Sequence, residues 1–116
     1  KAHETFVRDG YDIRCAVPIS FTQAALGAEI QVPTLEGNVP YTIPEGTQTG
    51  KEFVIRDKGI PELNNSRRRG DLRFTVVVET PTKLTREQKE LLRKLDGSLE
   101  KNNSPKGRSF FDKLFE

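Results

Sequence analysis

Residues 13–19 read Ile13-Arg14-Cys15-Ala16-Val17-Pro18-Ile19 and show the clearest alternation in the chain. The odd-numbered residues of this stretch are all apolar, and an arginine, an alanine and a proline stand between them. Successive side chains of a β-strand point to opposite faces of the sheet, so a period of two places the four apolar residues on one face. The stretch therefore predicts a strand with one buried face.

Four further stretches before Pro81 show the same alternation. They are marked by Ile30 and Val32, by Val39, Tyr41 and Ile43, by Phe53 and Ile55, and by Leu72, Phe74, Val76 and Val78. Turn residues such as Gly37 and Asn38 separate the stretches. Five short strands predict a mainly β domain over residues 1–80, as a small antiparallel β-sandwich or open barrel. Pro40 interrupts one run, which indicates an edge strand.

One segment departs from the alternation. Residues 20–27 read Ser20-Phe21-Thr22-Gln23-Ala24-Ala25-Leu26-Gly27. Its helix formers stand between a serine, whose hydroxyl can cap a helix, and a glycine, which can end one. The segment predicts one short helix within the β-domain.

After Pro81 the apolar period becomes that of a helix. Thr85 and Gln88 have the spacing of a capping box, in which each side chain binds a backbone amide of the first turn. We expect a dimerisation helix over residues 81–101, a polar linker over 102–109 and a short amphipathic segment over 110–116. The apolar residues that mark these two helical segments are Leu91, Leu92, Leu95 and Leu99, then Phe110, Phe111, Leu114 and Phe115.

These C-terminal apolar residues predict self-association. The first four make a wider stripe than a helix needs merely to lie on a small sheet. A helix as short as the last segment is not stable alone in water, so it should dock onto another surface. We expect the chain to form a homodimer that weakens when the chain stops before Pro81.

Length and composition exclude several classes of protein. The 116 residues suffice for one domain with an appendage, and the absence of methionine indicates a fragment of a longer protein. The 19 basic and 17 acidic side chains are too evenly balanced to predict a nucleic-acid partner. No apolar run reaches the roughly 20 residues of a membrane-spanning helix. A single cysteine excludes an intrachain disulfide and fits a reducing cytoplasm.

The candidate chemical motifs favour structural interpretations. Residues 46–51 resemble a phosphate-binding loop, but only three residues separate the glycines and Glu52 replaces the hydroxyl residue that holds magnesium. We interpret them as a turn between strands. Arg67-Arg68-Arg69 is interpreted as a solvated loop. Cys15 is one of the odd-numbered residues on the predicted buried face of the first strand, which indicates a buried side chain. His3 lacks a catalytic partner. We therefore expect no enzymatic activity, no metal site and no cofactor.

Several stretches stand in a specific order and at specific spacings over nearly the whole chain. They are residues 3–13 (HETFVRDGYDI), 17–27 (VPISFTQAALG), 32–35 (VPTL), 43–50 (IPEGTQTG), 58–61 (KGIP), 69–72 (RGDL) and 79–85 (ETPTKLT). In this order they resemble the second C-terminal β-domain and dimerisation helix of the bacterial DnaJ co-chaperones. Asp57 departs from the family at a position that is usually glycine, Val54 at one that is often arginine, and Pro40 at one that is not proline.

The resemblance implies client binding and homodimerisation in a co-chaperone that works with a DnaK-type ATPase in protein folding and the heat-shock response. Phe6, Phe21 and Leu35 are the candidate client-binding residues, because they lie near strand ends outside the clear core parity, although each could equally cover the core. Zinc, which the family often carries in a cysteine-rich module, is not expected here. We expect no nucleic-acid and no membrane partner.

Two alternatives to this interpretation remain open. In the first, the β-domain is a structural spacer and dimerisation module, and clients bind the first β-domain of the family, which this chain lacks. In the second, which the small charge excess disfavours, a basic tail binds RNA or a membrane surface. Client binding that survives high salt would distinguish apolar client binding by the β-domain from binding of RNA or a membrane surface by a basic tail.

Overall fold

The computed structural model describes residues 6–102 of the chain. These residues fall into two compact units that divide after Pro81. We call residues 6–81 the β-unit and residues 82–102 the helical unit. Residues 103–116 lie outside the described part, so the expectations for most of the linker and for the segment that holds Phe110, Phe111, Leu114 and Phe115 stay predictions.

The β-unit contains eight strands and one helix. In chain order these are β1 (Val7–Asp9), β2 (Asp12–Ser20), α1 (Phe21–Leu26), β3 (Ala28–Thr34), β4 (Gly37–Ile43), β5 (Glu52–Ile55), β6 (Pro61–Glu62), β7 (Asn65–Arg69) and β8 (Leu72–Glu79); the helical unit contains α2 (Arg86–Asn102). One sheet has the order β1-β2-β8-β5, and β3-β4 and β6-β7 form two further sheets. The mainly β class and all five predicted strands are confirmed, and β1, β6 and β7 are additional.

The largest sheet is mixed. β2 and β8 run parallel, in a register that extends from Ile13 opposite Leu72 to Ser20 opposite Glu79. The other strand pairs are antiparallel, as predicted. Alternation of apolar residues reports which face is buried but carries no information on strand direction. The parallel pair is therefore a finding of the structure that the sequence pattern did not predict.

The core lies on the inner face of this sheet. The four alternating apolar residues of β2 are buried, and so are Leu72, Phe74 and Val76 on β8, which confirms the predicted parity. Tyr41 on β4 packs its ring at 5.2 Å from Phe74 and at 5.4 Å from Phe53, between ring centroids. This aromatic cluster joins the β3-β4 hairpin to the larger sheet. β4 is an edge strand, as Pro40 predicted.

Helix α1 begins and ends as its sequence predicts. The Ser20 hydroxyl accepts a hydrogen bond from the Gln23 amide at 3.0 Å, and the Ser20 amide donates to Gln23 Oε1 at 2.9 Å. Gly27 ends the helix with φ +79°, a left-handed conformation that glycine adopts without strain. A side chain there would also approach the backbone of Ile43 and Glu45 at 3.0 Å. Position 27 therefore requires glycine for two independent reasons.

The stretch that resembles a phosphate-binding loop connects β4 to β5. Its Gly46 and Thr47 amides donate to the carbonyl oxygens of Ala25 and Ala24 at 3.2 and 3.0 Å, and the Gly50 amide donates to Val76 at 2.8 Å. These amides bind the last carbonyls of α1 and a carbonyl of β8 beyond the part of that strand that pairs with β5. The interpretation of residues 46–51 as a turn between strands is confirmed.

Helix α2 also begins at the predicted capping box. The Thr85 amide donates to Gln88 Oε1 at 2.8 Å, and the Gln88 amide donates to the Thr85 hydroxyl at 3.1 Å. The helix continues through Gly97 to Asn102. The described helix therefore covers most of the predicted range of residues 81–101 and starts after a non-helical segment that includes Pro81.

Candidate functional site

Three of the family-like stretches meet at the start of β2. The Ile60 amide donates to the Tyr11 carbonyl at 2.8 Å, the Gly59 amide donates to Gly70 at 2.9 Å, and the Gly70 amide donates to Ile60 at 3.1 Å. A Cβ on Gly59 or Gly70 would overlap the Tyr11 carbonyl oxygen. We call these four residues the glycine junction. It holds the β6-β7 hairpin against the turn between β1 and β2.

The carboxylate of Asp12 continues this junction. It accepts a hydrogen bond from the Asp71 amide at 2.8 Å and one from Arg73 Nε at 3.4 Å. The bond from the Asp71 amide, followed by the nearby Arg73 guanidinium, lowers the pKa of Asp12, against the opposing effect of burial. The charged form of Asp12 therefore stabilises the fold.

Asp71 in turn fixes Asp57, at the position where the family usually has glycine. The Asp57 amide donates to Asp71 Oδ1 at 3.1 Å. Asp57 has φ +65° and is the one non-glycine residue with positive φ among residues 6–102. Aspartate tolerates the left-handed region better than most residues. The β5-β6 connection therefore accommodates an aspartate at this left-handed position.

Replacement of Asp12 by asparagine should lower stability most near neutral pH. A carboxyl whose pKa is lowered by folding contributes stability above its ordinary value near 4, and this stability is lost as the pH falls through the lower, folded value. We expect a loss of about 1 kcal/mol at pH 7, since the side chain is partly exposed and loses charge-assisted hydrogen bonds, and a smaller loss at acid pH. Urea unfolding of the variant and of the exposed control Glu29→Gln between pH 7 and pH 2.5 would measure the loss of stability at neutral pH and at acid pH. Equal losses for Asp12→Asn at both pH values would contradict this assignment.

A second set of contacts ties the turn of the β3-β4 hairpin to the glycine junction. Arg69 donates to the Gly59 carbonyl through Nε at 3.1 Å and Nη2 at 2.8 Å, and to Glu36 through Nη1 at 2.7 Å. The hydrogen bond from Arg69 is the main reason that the pKa of Glu36 is lowered, and Lys58 Nζ lies 3.7 Å from the same carboxylate. The interpretation of Arg67-Arg68-Arg69 as a loop was wrong, because these residues lie on β7.

The structure places the three candidate client-binding residues in different surroundings. Phe6 is half-buried and packs against the core. Phe21 is half-buried as the first residue of α1, and Leu35 is 50% exposed in the turn between β3 and β4. Phe6 thus fits the alternative that it covers the core, whereas Leu35 is available to a partner.

These residues do not form one surface. Phe21 follows the C-terminal end of β2, whereas the turn that holds Leu35 is tied through Glu36 and Arg69 to the start of β2. Eight residue steps of extended strand separate the two ends, which is roughly 26 Å. A client that contacts both Phe21 and Leu35 must therefore span a distance of this size.

Sequence reasoning missed several exposed apolar residues of the β-unit, among them Leu63, Leu26 and Val77. Leu63 is 88% exposed between β6 and β7, Leu26 is 72% exposed at the end of α1, and Val77 is 43% exposed on the outer face of β8. The alternation of faces along a strand could have identified Val77 as exposed, because it lies on the face opposite to Val76 and Val78. No periodic signal marks the other two, since Leu63 lies in a turn and Leu26 on a short helix.

Three of the four predicted dimerisation residues of α2 share one exposed face. Leu91, Leu95 and Leu99 are 64%, 44% and 39% exposed and follow one another at four-residue spacing, which aligns them along the helix. Leu92 is half-buried. The described chain leaves this leucine stripe open to solvent.

The described residues also bear on a metal site, a membrane-spanning helix and the thiol of Cys15. Between residues 6 and 102, no three His, Cys, Asp or Glu side chains are placed to share a metal ion. Over the same range, no helix is long and apolar enough to cross a membrane. Cys15 is buried, as its parity predicted, and burial raises the pKa of its thiol.

The described residues thus form a β-unit with a glycine junction, followed by a helix with an open leucine stripe. Residues 1–81 match the family described as DnaJ C terminal domain, and residues 87–114 match the Chaperone protein DnaJ C-terminal region. A relative, the chaperone protein DnaJ of Polaromonas sp. (strain JS666 / ATCC BAA-500), is 54% identical over 117 residues. The match covers 98% of this chain and 30% of that relative, so the chain spans less than a third of its length. The chain belongs to the DnaJ C-terminal domain family, which confirms the resemblance.

Proposed function

We propose that this chain is the segment of a DnaJ co-chaperone that binds unfolded client proteins and forms a homodimer. The observation that carries the proposal is the apolar surface left open on both units, above all the stripe of Leu91, Leu95 and Leu99. Contiguous exposed apolar residues are characteristic of protein-binding surfaces. Membership of the DnaJ C-terminal domain family supports the same function.

The client site is proposed to lie on the β-unit rather than on α2. An extended client can add to the edge of a sheet through backbone hydrogen bonds and place alternate side chains on apolar surface. β4 and β5 each have one edge without a neighbouring strand in the described part of the chain. Leu35 follows β3 and Phe21 begins α1, so both lie beside sheet elements where such a client could bind.

Dimerisation would strengthen binding through effective concentration. Two weak client sites held in one dimer can bind one extended chain, and the second binding event is then intramolecular. In the parent protein, the clients would pass to a DnaK-type ATPase during protein folding and the heat-shock response. The chain itself would catalyse nothing and need no cofactor. A cytoplasmic location stays a prediction.

One alternative function has support from a specific observation. Phe6 packs against the core and Phe21 is half-buried, which leaves Leu35 as the most exposed of the three candidate residues. The β-unit would then be a spacer, with client binding in the first β-domain of the family. A comparison of peptide affinity between this chain and a longer one that includes the first β-domain would separate the two functions.

Chemical-shift mapping with a permanently unfolded, apolar client tests the proposal. We expect shifts on the β-unit around Leu35 and Phe21, at micromolar or weaker affinity and with little dependence on salt, because the contact is apolar. Leu35→Ser should weaken binding about fivefold, which corresponds to about 1 kcal/mol of lost apolar burial. Leu63→Ser, the same change at an exposed leucine outside β4, β5 and α1, is the matched control and should leave the affinity unchanged.

The same experiment has two outcomes that would contradict client binding by the β-unit. Shifts confined to residues 84–116 would leave the β-unit as a spacer. Loss of binding at moderate salt would indicate an electrostatic contact in place of an apolar one.

A further inference from the structure

The basic side chains of the β-unit are concentrated in one short segment. Residues 56–69 contain five basic side chains and two acidic ones, a net charge of +3. The remaining described residues of the β-unit, 6–55 and 70–81, contain four basic and eight acidic side chains, a net charge of −4. Glu36, from the turn between β3 and β4, pairs with Lys58 and Arg69 of this segment and offsets one of its charges. The segment that includes the β6-β7 hairpin nevertheless remains a positive region on an otherwise negative unit.

Irregular pairing places the arginines of this hairpin at the surface. Glu62 pairs with Asn65, but the preceding residue, Pro61, pairs with Arg69, so residues 66–68 form a bulge in β7. Bulges redirect side chains away from the regular ladder. Arg67 and Arg68 are exposed in this bulge, and Arg56, which precedes the hairpin, is exposed as well.

The base of the hairpin is fixed, so it presents these charges from a defined position. Arg69 donates to the Gly59 carbonyl and to Glu36, and its side chain is 20% exposed. The Gly59 and Ile60 amides are bound to the carbonyl oxygens of Gly70 and Tyr11. A hairpin held at its base loses less conformational entropy when it binds a partner.

An apolar side chain lies at the tip of the same hairpin. Leu63, at 88% exposure, is the most exposed of the large hydrophobic residues in the described chain. Its two-residue turn lies between Glu62 and Asn65, directly before the bulge that holds Arg67 and Arg68. A partner that fits this surface must offer negative charge and an apolar contact together.

We infer that the β6-β7 hairpin is a docking surface for an acidic peptide segment that carries an apolar side chain. Charge complementarity selects the acidic residues, and Leu63 supplies the apolar contact. Residues 56–69 contain no aromatic side chain, whereas proteins that bind single-stranded nucleic acid usually stack bases on aromatic rings. The residues of this surface differ from Leu35 and from the leucine stripe, although Glu36, the chain neighbour of Leu35, contacts Lys58 and Arg69 of the segment. Binding to this surface should depend on salt.

Fluorescence anisotropy with the full 116-residue chain tests this surface. The probe is a fluorescein-labelled peptide in which two glutamates flank one leucine on each side. We expect saturable binding that weakens about tenfold when the salt concentration rises from about 50 to about 300 mM. The double variant Arg56→Glu with Arg68→Glu should weaken binding about tenfold, and Leu63→Ala about threefold.

Matched variants and probes distinguish this surface from general charge attraction. Arg86→Glu with Lys89→Glu makes the same change in net charge on α2 and should alter the affinity less than about twofold. Probes with lysine in place of glutamate, or alanine in place of leucine, should bind more weakly. Absence of binding, an equal loss for both double variants, or equal affinity for an RNA oligonucleotide would overturn the inference. Peptide binding that persists when the apolar client saturates Leu35 would show that the two surfaces are separate. Competition between the peptide and the apolar client would overturn the inference.

Discussion

Replacement of Gly70 by alanine is expected to unfold the β-unit. A Cβ at this position would overlap the carbonyl group of Tyr11 and approach the Asp12 amide, and both obstacles are backbone atoms. A side chain can move to another rotamer, but this backbone is held by the bond from the Ile60 amide to Tyr11. We expect a loss of more than about 4 kcal/mol, which is a large part of the stability of a small domain. Urea unfolding followed by circular dichroism measures the loss.

Two further glycine variants separate the overlap from backbone strain. Gly59→Ala introduces a similar overlap with Tyr11 and should be about as destabilising as Gly70→Ala. Gly10→Ala introduces no contact within 4 Å, but φ at position 10 is +65°. It should cost only about 1–2 kcal/mol, the strain of an alanine in the left-handed region. A folded Gly70→Ala protein with stability close to that of Gly10→Ala would show that the junction can open.

The double variant Leu91→Gln with Leu95→Gln is expected to convert a homodimer into a monomer. Both side chains are exposed on α2 and lie four residues apart, so they would face the same partner surface. Loss of two leucines from each protomer should weaken the dimer by at least about 3 kcal/mol, or more than about 100-fold in Kd. Glutamine is a good helix former, so α2 itself should persist.

Light scattering of the full chain and of the variant at tens of micromolar measures this change. The control is Lys89→Gln with Arg93→Gln, which introduces the same residue on the opposite face of α2. It removes an exposed ion pair between Arg93 and Glu90 at 3.1 Å, a loss that should hardly affect assembly. A monomeric full chain under these conditions would refute the dimer, and a dimeric leucine variant would place the interface elsewhere.

The faces and ends of the regular elements could be predicted from the sequence. The alternation from Ile13 to Ile19 identified the buried face of β2, and the pairs Ser20 with Gln23 and Thr85 with Gln88 located the starts of α1 and α2. These features depend on side chains at most four residues apart. The local backbone geometry brings such residues together in any sequence that adopts the element, so their spacing is sufficient to predict them.

The candidate site was only partly accessible to the same reasoning. Leu35 was selected as an apolar residue outside the core parity, and it is exposed. Phe6 was selected on the same ground but packs against the core. The exposure of Leu63 and Leu26 could not be predicted, because parity assigns a face only within a regular strand or a long helix.

The contacts between distant segments could be identified only in the folded chain. The parallel pairing of β2 with β8, the contact of Gly70 with Tyr11, and the hydrogen bond from Arg69 to Glu36 each join residues more than 30 positions apart in the chain. Such contacts depend on the packing of the whole core and on the entropy of closing long loops, neither of which is encoded in a local pattern. For this reason, the sequence predicted the strands and caps, whereas the fixed β6-β7 hairpin and its basic surface became visible only in the folded chain.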